Sequence, residues 1–152
     1  MEYKKILVMT DFSKDSKVAV ETAASLAYKF GAELSVLHVA HDEAHFDLYV
    51  FEKELDSINR KIIEEAEASF CRLEEEVPLL KDVTWESLIR RGAPYEEGLH
   101  EIESRDYDLL VLGSHGKRGV KRFLYGTTAE KMIRNCPVSV HVTRYECIGL
   151  KK

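Results

Sequence analysis

Gly113-Ser114-His115-Gly116 and, nine residues further on, Gly126-Thr127-Thr128 are the residues of this chain whose types and spacing best suit a chemical task. They follow an apolar run, Leu109 to Leu112, and precede an amphipathic stretch, Ala129 to Asn135. A strand ending in glycine, a glycine-bearing loop and a hydroxyl-rich helix start together describe a phosphate cradle. Glycine lets the main chain approach an anion closely, and a helix N-terminus offers unpaired N–H groups and partial positive charge. On this reading Gly113 and Gly116 bring amides toward phosphate, with Ser114 and His115 between them. Gly126, Thr127 and Thr128 supply helix-start N–H groups and hydroxyl donors. Lys117, Arg118, Lys121 and Arg122 form the longest basic cluster of the chain. Each either neutralises phosphate charge or belongs to a solvated loop face. The spacing is neither G-x-x-x-x-G-K-[ST] nor G-x-G-x-x-G.

Other polar residues compete for attention. Asp11 follows the first apolar run, and its carboxylate oxygens suit a hard cation such as magnesium. An ordinary turn acid at a helix start would look the same. His38, His41 and His45 crowd together, yet no helical pattern covers 41–45, which argues against a metal role. His115 has no orienting partner that the sequence reveals, so it reads as a solvent-facing side chain rather than a general acid. His100 and His141 read as surface residues. No G-x-S-x-G elbow is present, so hydrolytic catalysis lacks its usual sign.

Apolar runs alternating with helical spacing imply an α/β domain with a mainly parallel sheet. Lys5 to Met9 reads as the first strand. Ser13 caps a helix whose apolar positions run from Ala19 to Phe30, with Gly31 at its end. Leu34 to Val39 is the second strand. Steps of three and four from Phe51 to Val77 predict a long amphipathic helix over about 48–77, stopped by Pro78. Val83 to Ile89 reads as the third strand. Gly92-Ala93-Pro94 makes a turn into a helix that carries Leu99 and Ile102 toward the sheet. Asp108 to Leu112 is the fourth strand. Thr127 and Glu130 match a capping box for the last helix. Val138, Val140 and Val142 alternate with polar residues, as expected of a fifth strand at a sheet edge.

The 152 residues are read as one domain, and an apolar fraction of 45% allows a real core. A net charge of −5 gives no support for a nucleic-acid partner. No run reaches membrane-span length and no signal-peptide pattern opens the chain, so no membrane partner and a cytoplasmic location are expected. Cys71, Cys136 and Cys147 show no C-x-x-C spacing and read as reduced thiols, with Cys147 near the tail.

The spacing G-x2-G-x9-G-[ST] resembles the nucleotide-binding signature of the universal stress protein family. Ile6 to Ser13 is similar to that family's opening strand and acidic turn. Tyr107 to Gly116 resembles its fourth strand and loop, and Asn135 to Val142 its last strand; the weakest stretch runs from His41 to Asp82. The resemblance implies an open, doubly wound, five-stranded parallel sheet of Rossmann-like type, in the order 3-2-1-4-5. Such a sheet has its topological switch point between strands one and four, where ligands bind outside the carboxyl ends. The resemblance also implies ATP as ligand, with ADP, AMP and a cyclic nucleotide left open, and magnesium carried with it. The main chain of Val39 matches the position that contacts adenine, Thr10 and Asp11 match the turn that faces the nucleoside, and Gly92 either shapes the adenine pocket or simply turns the chain. It further implies a homodimer through Val138 to Thr143, and a nucleotide-responsive regulator of the stress response with an unknown protein partner. The alternative is a slow nucleotide hydrolase, or an enzyme that phosphorylates itself near Ser114, Thr127 or Thr128.

Overall fold

The computed structural model describes residues 2–41, 52–115 and 125–145. Five strands form one sheet: β1 (Lys5–Thr10), β2 (Glu33–Ala40), β3 (Trp85–Arg91), β4 (Leu109–Gly113) and β5 (Ser139–Thr143). Their order is β3-β2-β1-β4-β5, and every pair is parallel. Among the described residues the α-helices are α1 (Lys14–Phe30), α2 (Glu52–Glu76), α3 (Pro94–Ser104) and α4 (Thr127–Asn135). This is an α/β Rossmann-like fold.

A parallel sheet with helices on both faces buries its central strands twice, which is why β1 reads as an unbroken apolar run. Ile6 and Val8 pack with Ala19, Val20 and Ala23 of α1 and with Phe70 and Leu73 of α2. Leu7 and Met9 point the other way, toward Ile102 of α3 and Met132 of α4. Leu7 and Leu110 are fully buried, each worth about 2 kcal/mol relative to exposure. Edge strand β5 alternates between exposed and half-buried positions until Thr143, as its sequence implies.

Several local expectations hold. Ser13 caps α1 by accepting from the Ser16 N–H at 3.3 Å, and the Gly31 N–H closes its other end on the Ala27 carbonyl. Pro94 opens α3. Residues 48–51 of the expected long helix lie outside the described residues. Other expectations need correction. The segment after α2 forms a short 3-10 turn, Pro78–Asp82, which buries Leu80 completely. That turn delays β3, which runs Trp85–Arg91 rather than Val83–Ile89 and pairs Leu34 with Trp85. The capping box at α4 does not form. The N-cap is Gly126, without a side-chain cap, and its carbonyl accepts from the Glu130 N–H at 2.9 Å. Thr127 has therefore already entered the helix, one residue too far on to serve as the cap.

α3 carries one buried charge that its pattern does not announce. Leu99 is half-buried, while Glu101 is fully buried beside Ile102. The Glu101 carboxylate accepts from the Tyr107 hydroxyl at 2.9 Å and from Arg105 at 3.3 Å, and it pairs closely with Arg90. Arg105 also reaches Glu86 at 2.7 Å. Burial, ahead of the Glu101 contact, pushes the Tyr107 phenol up to about 12, so it stays a donor at neutral pH.

Candidate functional site

The rim at the carboxyl ends of β1 and β4 brings the sequence candidates together. β1 pairs with β4 from Ile6↔Leu109 to Val8↔Val111, so both strands leave the sheet on the same side. β1 delivers Thr10 and Asp11. Thr10 is buried; its Oγ1 accepts from the Phe12 N–H at 3.0 Å and lies 3.1 Å from Ser16 Oγ. Asp11 Oδ1 accepts from the Ser13 N–H at 3.0 Å, which bends the chain into α1. The bend passes through Phe12 at φ 61°, in the left-handed region that bulky side chains avoid. Two aromatic contacts hold it there, His38 at 4.6 Å and Phe70 of α2 at 5.2 Å between ring centroids. His38 Nδ1 lies 2.9 Å from the Thr10 carbonyl, so that nitrogen carries the proton. The role of His38 seen here is to brace the acidic turn. His41 is exposed beyond β2, and His45 lies outside the described residues.

β2 overhangs β1 at this rim. Its pairing with β1 ends at Thr10↔His38, whereas its pairing with β3 continues through Val39↔Arg90 to Ala40↔Arg91. The main chain of Val39 therefore borders the Thr10–Asp11 turn on the side where β1 has already ended. Gly92 donates its N–H to the Ala40 carbonyl at 3.1 Å and has φ 137°, a conformation that asks for glycine. The turn itself thus accounts for Gly92.

β4 delivers Gly113, Ser114 and His115. A Cβ on Gly113 would sit 2.9 Å from the backbone carbon of Asp15 and 3.1 Å from the Ser16 nitrogen. The missing side chain lets the first turn of α1 lie against the strand end, a packing reason that the spacing alone does not disclose. Ser114 is buried; its carbonyl accepts from the Gly126 N–H at 2.6 Å, and its own N–H donates to Thr143 at 2.8 Å. With Gly126 so engaged, the helix-start donors left without an intrahelical partner are those of Thr127, Thr128 and Ala129. Gly116, Lys117, Arg118, Lys121 and Arg122 lie outside the described residues.

Asp15, which the sequence does not single out, gathers the site. Its Oδ2 accepts from Ser114 Oγ and from the His115 N–H, both at 3.1 Å, and lies 3.5 Å from His115 Nδ1. Its Oδ1 accepts from the Tyr145 N–H at 3.3 Å. His115 thus has the orienting neighbour that the sequence did not reveal. Ser114 Oγ also lies 3.0 Å from His115 Nδ1, so serine and carboxylate address the same ring nitrogen. A hydrolytic relay needs them on opposite nitrogens. Two cation–aromatic pairs flank this corner, Lys14 with Tyr145 and Arg144 with Tyr125.

An open concavity of about 530 Å³ lies at the opposite rim, lined by Tyr3, Lys4, Phe30, Glu33 and Asp106 among others. There α1 ends rather than begins, and its partial negative charge disfavours an anion.

Residues 2–144 match the universal stress protein family. The chain belongs to this family. Universal stress protein YxiE of Bacillus subtilis is 30% identical over 146 residues, covering 91% of this chain and 98% of that protein. Among solved structures, universal stress protein UspA from Lactobacillus plantarum is similar with a TM-score of 0.84 at 23% identity, covering 95% of this chain and 99% of that one. A universal stress protein in complex with cAMP (TM-score 0.61, 20% identity, 96% and 100% covered) shares the fold. So does one from Arabidopsis thaliana with AMP bound (TM-score 0.62, 17% identity, 95% and 93% covered). The rim that carries Asp11 and Ser114 lies at the carboxyl ends of β1 and β4, the switch point of the strand order. His100 and His141 are exposed away from it. Cys71 is exposed on α2 and Cys136 is half-buried, both as free thiols; Cys147 lies outside the described residues. No helix among the described residues is long and apolar enough to cross a membrane.

Proposed function

We propose that this universal stress protein is a nucleotide-responsive regulator that binds an adenine nucleotide, ATP foremost, at the β1/β4 rim. One observation carries this reading: the Asp11 turn, the Ser114–His115 exit and the start of α4 lie at the same switch point. First-turn amides and hydroxyls of Thr127 and Thr128 suit phosphate. The overhanging main chain of Val39 suits the adenine edge. Asp11 suits ribose hydroxyls or, with phosphate oxygens completing the shell, a magnesium ion; one carboxylate is the usual protein share for that metal. Relatives of the same fold that hold cAMP and AMP support an adenine ligand. Lys117 and Arg118 would add charge to the same cradle, with Gly116 between them and His115.

Titration calorimetry with adenosine, AMP, cAMP, ADP and ATP, with and without Mg²⁺, tests the reading. Saturable binding is expected, weakened about tenfold or more by Asp11→Ala, the scale of one lost charge-assisted hydrogen bond. Folded protein that binds none of the five would refute it.

The chain is further expected to form one domain and a homodimer. Among the described residues β5 is an edge strand, with one row of N–H and C=O groups unpaired beside Val138 to Thr143. Light scattering should give twice the chain mass, and a monomer at high concentration would refute the dimer.

A further inference from the structure

We infer that Asp15 is a positioning residue of this nucleotide site, one that sets the direction in which Ser114 and His115 leave β4. The inference deepens the nucleotide reading and rests on it. A first-turn acid ordinarily faces solvent and answers only the helix dipole. Asp15 is instead about four-fifths buried, with 19% of its side chain exposed. Its two oxygens take one hydroxyl and two main-chain donors from segments far apart in sequence: Ser114, His115 and Tyr145. These are the exits of β4 and β5, so one carboxylate ties three elements at the rim.

The bare face of Gly113 makes the tie possible, because α1 can approach the strand end only where no Cβ intervenes. Ser114 then transmits it. While Asp15 holds its hydroxyl, its carbonyl seats the Gly126 N–H at 2.6 Å, immediately before α4. Asp15 thus reaches the helix start that would meet phosphate without itself meeting the ligand. A charged acceptor suits this task, since hydrogen bonds to a carboxylate are roughly twice as strong as neutral ones. Asparagine keeps one acceptor oxygen, and alanine keeps none.

The test uses the whole chain as wild type, Asp15→Asn and Asp15→Ala, at a temperature where circular dichroism shows each folded. Calorimetry compares adenosine with AMP, and amide hydrogen exchange is read at His115 and Tyr145 without ligand. In Asp15→Ala, AMP affinity is expected to fall about tenfold or more while adenosine changes less than about twofold, with Asp15→Asn between. Exchange at both amides should quicken. An equal loss for the two ligands would mean a general structural role, and a gain for AMP would mean that the carboxylate competes with phosphate; either overturns the inference. Unchanged exchange in Asp15→Ala refutes the role of Asp15 alone. Wild-type protein that binds neither ligand refutes the nucleotide reading alone.

Discussion

Replacing Glu101 with alanine is expected to destabilise the folded chain by about 3 kcal/mol, the scale seen when one partner of a buried ion pair is removed. The carboxylate is fully buried and answers Tyr107, Arg105 and Arg90 together. Without it the buried Tyr107 hydroxyl loses its acceptor and Arg90 its counter-charge, while Arg105 keeps only Glu86. Glu101→Gln keeps the volume and isolates the charge. Burial alone would push the Glu101 carboxyl up, but the Tyr107 bond and the pairing with Arg90 and Arg105 outweigh it and hold the group below its ordinary 4.5. A carboxylate held low in the folded state stabilises fully above its unfolded value. That contribution is lost as pH falls through the lower folded value. The gap in urea midpoint between wild type and Glu101→Gln should therefore be full at neutral pH and shrink in acid below about 4.5. A gap that stays constant from neutral to acid would refute the pairing.

The second large effect is expected at Gly113. A Cβ would meet backbone atoms of Asp15 at 2.9 and 3.0 Å, and backbone cannot swing aside as a side-chain tip can. Gly113→Ala should destabilise by about 1–3 kcal/mol and Gly113→Val by more, through overpacking of α1 on β4. Thermal melts followed by circular dichroism measure both. An alanine variant that melts with the wild type would show that the helix and strand part easily. Loss of nucleotide binding in Gly113→Val would consequently not identify a ligand contact, which is why Asp11 and Asp15 make better probes of the rim.

The fold was legible in the chain because its central signals are strong. Ile6-Leu7-Val8 reads as a short continuous apolar strand, which the structure buries on both faces, and the alternation of Val138, Val140 and Val142 marked an edge. Ser13 and Gly31 delimited α1 through local hydrogen bonding that needs no tertiary context. β3 was harder: it lies at the other edge, half-exposed, and its register is set by the 3-10 turn before it. The capping box failed because glycine at 126 satisfies the cap conformation one residue earlier.

The arrangement of the candidate site was legible in outline only. Its glycines and hydroxyls follow from spacing, but Asp15 does not. An acid in the first turn of a helix is common for dipole reasons, and only the tertiary approach of β4 and β5 turns this one inward. The same holds for Glu101, whose helix pattern gives no hint that Tyr107 and Arg90 wait for it. The reason for Gly113 was also hidden, since a bare residue looks alike whether it makes room for an anion or for a helix.

Phe12 gives the acidic bend a mechanical character. Its backbone sits where a bulky residue costs on the order of 1–3 kcal/mol, and it remains there because the rings of His38 and Phe70 clasp it. The bend is in effect a loaded spring, and the latch belongs to α2, nearly sixty positions away along the chain. Trimming Phe70 would release that tension, so a helix distant in sequence holds leverage over the angle at which the Asp11 turn is set.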